Sequence, residues 1–196
     1  MLVIGNGESR KNINIDNIQD IKIGCNAIHR DYIVDHLVCV DRRMVNQALD
    51  AGVNDYAYIY TREDWFNNYK KYKKVRTVPD LPYVGSERAD EPFNWGSGPY
   101  AVLLAAKLSE ECHLIGFDLY GKDNKVNNIY KDTEGYDTAT KSAVDPRFWV
   151  YQLSKIFEMY NRRNFTIYQT DDWEIPKQWK FSNVKVDNIS NIYYNS

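Results

Sequence analysis

The chain begins Met-Leu-Val-Ile-Gly-Asn-Gly-Glu-Ser, and this stretch restricts the fold more than any other. Met1 to Ile4 is apolar with a β-branched pair and is closed by Gly5 and Gly7, the pattern of a buried strand running into a tight turn. In open α/β sheets such a corner lets backbone N–H groups approach a phosphate, because glycine puts no side chain in the way. Gly5 and Gly7 are expected to give that approach. Asn6 and Ser9 add short polar side chains that can bind an anion or cap the turn. Ser9-Arg10-Lys11 stands where the third glycine of a dinucleotide fingerprint would fall, so an NAD site is not expected.

Further strands are predicted at Ile21 to Cys25, His36 to Val40, Ala57 to Tyr60, Val75 to Val78, Cys112 to Ile115 and Asn164 to Gln169. Between them lie helical patterns: Met44 to Ala51 stopped by Gly52, Arg62 to Tyr72 with Thr61 as N-cap, Ala101 to Leu108, and Pro146 to Asn161. Ser97 or Gly98 would cap the third of these helices, with Pro99 at its first position. Pro79 to Pro92 is a long connection, and Gly121 to Asp145 reads as a polar surface loop or lid. Trp173 and Trp179 in the tail are expected to dock on the core. The alternation predicts an α/β fold: one Rossmann-like domain over residues 1–196, its mainly parallel sheet flanked by helices.

A length of 196 residues permits one core without staples, and a net charge of −2 gives no basic field for nucleic acid. Cys25, Cys39 and Cys112 are widely spaced in apolar runs and read as reduced buried thiols, with no metal site implied. The longest apolar run is too short for a membrane span, and Met1 leads directly into the first strand without a cleavable signal. A cytoplasmic protein is expected, and homo-oligomerisation is left open.

Ligands of open parallel sheets bind beyond the carboxyl ends of the strands. Those ends here read Gly5-Asn6-Gly7-Glu8-Ser9, Cys25-Asn26, Asp41-Arg42 and Gly116-Phe117-Asp118-Leu119-Tyr120, and the helix start Gly96-Ser97-Gly98 points toward the same edge. Together they suggest an anion-bearing ligand. Arg42 could neutralise a diphosphate or form a surface ion pair; Asp118 could bind a ligand hydroxyl or cap its loop.

In order, G-N-G-x-S, C-N, x-S-G-x-Y and G-x-D-x-Y resemble the motifs of the bacterial sialyltransferases of glycosyltransferase family 42. The chain is also similar to a wider group that includes pterin pyrophosphokinase-like proteins. The resemblance covers about Met1 to Gln169. It implies a cytidine nucleotide-activated sugar as donor substrate, a glycan or other acceptor, no metal or separate cofactor, and a lid. Asn6 and Gly7 would approach the phosphate, Asn26 would hold the donor, and Ser97 and Gly98 would bind at the helix start. Tyr120 and Tyr130 would place phenols on the departing phosphate, and Asp41 would lie near the ribose. The chain departs from the family in two places: Glu8 replaces a proline, and no histidine precedes the C-terminal long helix. Asp145 could serve there as general base, or simply as the cap of that helix.

Three functions follow as expectations. One is a sialyltransferase-like glycosyltransferase; another is a metal-dependent phosphoryl or pyrophosphoryl transferase with Asp41 and Asp118 as ligands; the last is a nucleotide-binding module without chemistry.

Overall fold

Short β-branched runs with apolar residues on both faces can be satisfied only as inner strands of a covered sheet. A computed structural model describes residues 1–195, with side chains through Tyr193. It shows eight strands: β1 (Leu2–Ile4), β2 (Lys22–Cys25), β3 (His36–Val38), β4 (Tyr58–Thr61), β5 (Val75–Thr77), β6 (Glu111–Ile115), β7 (Asn164–Gln169) and β8 (Val184–Asn188). All pair in parallel, in the order β5-β4-β3-β2-β1-β6-β7-β8. The chain therefore steps outward from β1 to β5, returns across the sheet, and continues from β6 on the other side of β1. Val3 aligns with Ile23 on one side and with Leu114 on the other.

Side chains alternate between two cores, as the strand period of two requires. Val3, Ile23, Val38, Leu114 and Ile167 face α4 (Ser97–Leu108) and α5 (Arg147–Met159), with Trp179 in the same cluster. Leu2, Ile4, Leu37, Ile59 and Ile115 face the opposite layer, which holds α1 (Arg42–Asp50) and α2 (Val53–Tyr56). Helix α4 is buried almost all round from Tyr100 to Ala106, which suits its Ala- and Leu-rich sequence. The fold is Rossmann-like.

Several boundaries depart from expectation. The helix expected over Arg62 to Tyr72 is only α3 (Glu63–Phe66), and Thr61 ends β4 instead of capping it. Asn67 and Asn68 are weak helix formers, and Tyr69 turns inward to give its hydroxyl to Asn46 Oδ1 at 2.8 Å. Gly96 is the cap of α4, so Ser97 is its first residue and Pro99 its third. The Ser97 hydroxyl is drawn to neighbouring strand ends and not back to its own helix. Strand β8 lies where the sequence predicts none, because Val184 and Val186 alone carry its alternation, and a short α6 (Ile192–Asn195) follows it. Trp179 is fully buried and donates its indole N–H to Val150 O at 2.8 Å, as a docked tail requires. Among the described residues no helix is long and apolar enough to cross a membrane.

Candidate functional site

The strand order reverses between β1 and β6, which opens a crevice at their carboxyl ends. A hollow of about 320 Å³ lies there, lined by Asn6, Asn26, Asp41, Ser97, Gly98 and Asp118 among others. Residues spread over more than 110 positions of sequence thus meet at one rim. The volume sits at the small end of ligand pockets, roughly 300–1,000 Å³.

Ser97 joins three elements. Its Oγ donates to Asn26 Oδ1 at 2.8 Å and accepts from Val40 N at 3.2 Å. Asn26 holds a left-handed backbone, φ 51°, at the tip of β2. Its Oδ1 is occupied by Ser97, so its amide N–H₂ is the group left for a ligand. The first donor inside α4 is Tyr100, whose N–H reaches Gly96 O at 3.3 Å. The earlier Ser97 and Gly98 amides remain free for an anion at the positive end of a 12-residue helix.

The glycine-rich turn does something other than expected. Gly5 N donates to Ile115 O at 2.8 Å and Gly7 N to Gly116 O at 2.9 Å, so both amides are already spent between β1 and β6. A Cβ on Gly5 would fall on the Gly116 carbonyl, and one on Gly7 would fall on the Asp118 carboxylate. The glycines let two chain segments close on each other. Ser9 also points inward: its N–H reaches Asp118 Oδ2 at 2.9 Å and its Oγ reaches Asp118 Oδ1 at 2.5 Å. Gln169 Nε2 adds a third bond to Asp118 at 3.2 Å. Asp118 is 7% exposed and works as the clamp joining the ends of β1, β6 and β7.

Beneath this turn lies Arg10, 2% exposed, a residue the sequence reading passed over. Its Nε donates to Gly5 O at 2.6 Å, and its guanidinium stands 5.9 Å from the centre of the Tyr130 ring. Tyr130 is buried, and its hydroxyl donates to Asp31 Oδ2 at 2.7 Å. Burial and then the Asp31 carboxylate push that phenol well above its ordinary value. Tyr130 is outside the hollow and braces the loop behind it; the structure does not bring it to the expected phosphate position. Glu8, whose charge sat awkwardly beside a phosphate, pairs with Lys131 at 2.6 Å.

The segment 121–145 is pinned across this rim. Ile129 N donates to Asn6 O, Asn127 Oδ1 accepts from Glu8 N, and the Tyr136 hydroxyl accepts from Asn6 Nδ2 at 3.1 Å and Ala27 N at 3.3 Å. Asn127 and Asn128 from this segment and Trp149 from α5 complete the hollow. The Trp149 indole nitrogen lies 3.2 Å from where a Gly96 Cβ would be. The asparagine-rich run was the one sequence signal for Asn127 and Asn128.

Comparison with protein-family models, with curated proteins and with solved structures returns no match. Of the remaining expected residues, Asp41 alone reaches this hollow. Arg42 stacks on Trp65 at 5.2 Å and lines a different hollow, so it is not placed to neutralise a phosphate in the switch-point crevice. Asp41 lines the hollow but caps α1 through Arg43 N at 2.8 Å. Tyr120 and Asp145 stand together in a separate trough of about 530 Å³. Asp145 Oδ1 accepts from Arg147 N at 2.9 Å and its carboxylate pairs with Arg147 Nε at 3.2 Å, but the cap residue of α5 is Pro146, so Asp145 stands one residue before the expected cap position. Tyr120 is redirected because Gly116 and Leu119 both adopt left-handed backbone, φ 69° and 65°. Burial, then the nearby Glu174, raise its pKa, so it remains a hydrogen-bond donor at neutral pH.

Proposed function

We propose that the chain binds a nucleotide-activated sugar of the CMP type at the β1/β6 crevice and transfers the sugar to an acceptor hydroxyl. The observation that carries this reading is the meeting of Asn26, Ser97 and Gly98 around a mononucleotide-sized hollow. In the transfer, the acceptor oxygen bonds to the anomeric carbon while the bond from that carbon to the phosphate oxygen breaks. The electron pair leaves with the nucleotide phosphate. The free amides of α4 stabilise the developing charge, and the acceptor proton passes to the Asp145 carboxylate in the adjoining trough.

The phosphoryl-transfer alternative finds less support, since its two carboxylates are engaged, Asp41 as a cap and Asp118 as the clamp. A binding module without turnover is favoured by one observation, the exposed Asp145 carboxylate already paired with Arg147.

Thermal shift with CMP, CDP, UDP, GDP, ATP and S-adenosylmethionine tests the reading. A ligand at 100 times its Kd adds about 2.7 kcal/mol, a shift of several degrees. CMP is expected to raise Tm and Ser97→Ala to reduce that shift. Failure of all the nucleotides, or success of S-adenosylmethionine alone, overturns the proposal. With binding established, Asp145→Asn should abolish turnover and spare the shift; no turnover in the parent protein leaves the binding module.

A further inference from the structure

We infer that the outer edge of β8 pairs antiparallel with the same edge of a second copy of this chain, about a two-fold axis at Val186. β8 ends the sheet beyond β7, and a terminal strand leaves half of its backbone polar groups without a ladder partner. Phe165 N donates to Asn183 O at 2.8 Å, and the register continues with Ile167 beside Val186. In such a ladder Asn183, Lys185 and Asp187 turn their backbone groups to β7, so those of Val184, Val186 and Asn188 turn outward. Two of these three outward N–H groups are engaged locally. Val184 N reaches Phe181 O at 3.1 Å, and Asn188 N reaches Asp187 Oδ1 at 2.7 Å. Among the described residues Val186 keeps both its N–H and its C=O open, and its side chain is 44% exposed. The described chain after β8 turns across the sheet: Ile192 is fully buried in the second core, and the Tyr193 hydroxyl accepts from Asn14 N at 2.8 Å.

The charges of the edge select a second copy as the occupant. Val184-Lys185-Val186-Asp187-Asn188 carries opposite charges at equal distances from its middle residue. When Val186 stands opposite the partner's Val186, the two residues exchange both N–H···O bonds. That register sets Lys185 opposite the partner's Asp187 and Asp187 opposite the partner's Lys185, two facing pairs of opposite charge. Lys185 is exposed, and Asn188 N and Asn191 Nδ2 hold the Asp187 carboxylate beside the strand at 2.7 and 2.6 Å. Sliding one strand by two residues in either direction would bring lysine against lysine or aspartate against aspartate, so the register is fixed. The opposite edge of the sheet is blunted. There Val75 N is bonded to Tyr72 O at 3.1 Å, and Val75 O accepts from Arg76 Nη1 at 2.9 Å. An isologous contact through β8 alone closes at a dimer and does not propagate into a fibre.

Sedimentation velocity of the full chain over a range of concentrations should show a monomer–dimer equilibrium. Val186→Pro removes the outward N–H without touching the bonds to β7, and should abolish the dimer while sparing the fold. Lys185→Asp sets acid against acid twice, and Asp187→Lys sets base against base twice; each should weaken the dimer by about ten-fold or more. Mixed together, these two charge variants should form a heterodimer, because every acidic position then meets a basic one; native mass spectrometry reads it. Circular dichroism checks that each variant is folded. If Asp187→Lys, which forfeits the bonds to Asn188 and Asn191, is misfolded, Lys185→Asp and Val186→Pro decide the matter alone. A chain that stays monomeric at every concentration overturns the inference. So does a dimer that survives both Val186→Pro and Lys185→Asp unchanged, which would place the contact on another surface.

Discussion

Replacing Asp118 by alanine tests whether the strand ends are held by one carboxylate. The side chain accepts from Ser9 N, Ser9 Oγ and Gln169 Nε2, at 2.9, 2.5 and 3.2 Å, within a buried corner. The Ser9 hydroxyl can rotate to another acceptor, but the backbone N–H and the Gln169 amide are fixed in place. Each fixed donor left unpaired costs about 1–3 kcal/mol, and water reaching the half-buried Ser9 lowers the total to about 3 kcal/mol. At about 2–4 °C per kcal/mol for a chain of this size, Tm should fall by about 6–12 °C. Asp118→Asn keeps one acceptor oxygen and should lose about half as much, and Ser9→Ala combined with Asp118→Asn should be less than additive, because the pair shares bonds. CMP binding should weaken along with Tm, since the Gly5–Ser9 turn carries Asn6 to the crevice. Differential scanning fluorimetry with and without CMP measures both. The rival view is that this buried carboxylate, which has no ion pair among the described residues, is a net burden. A Tm for Asp118→Ala equal to or above that of the parent would refute the clamp.

Other outcomes follow from burial. Desolvation pushes the thiols of Cys25 and Cys112 up to about 12 and raises Cys39 as well, so none should react with a disulfide reagent at pH 8 until the chain unfolds. Rapid labelling of the native protein, counted by mass spectrometry, would contradict this. His29, His36 and His113 all titrate below their ordinary 6.5, because burial disfavours the imidazolium. The unfolded chain then binds protons at higher pH than the folded one. Stability from these groups is complete above about pH 6.5 and is lost as pH falls through their lower folded values. Tm should fall from pH 7 to pH 5, and His36→Asn should flatten that slope; an unchanged slope in the variant would count against it.

Local pattern and tertiary contact divided the work unevenly. The hydrophobic runs located seven of the strands and every helix of more than one turn, because periodicity and glycine or proline punctuation act over a few residues. The same polar tips announced that Asn6, Asn26, Ser97 and Gly98 meet at one rim, since a parallel sheet sends all its strand ends to one side. Pairing order was beyond that reading. Nothing local says that β6 returns to lie against β1, yet that neighbour consumes the Gly5 and Gly7 amides and turns Asp118 into a clamp. Nor does local sequence show that Arg10 is buried beneath Gly5, or that two left-handed residues swing Tyr120 into the next hollow. A hydrogen-bonding group is committed or free according to what the fold brings within about 3 Å of it, and that neighbour here usually comes from a hundred residues away.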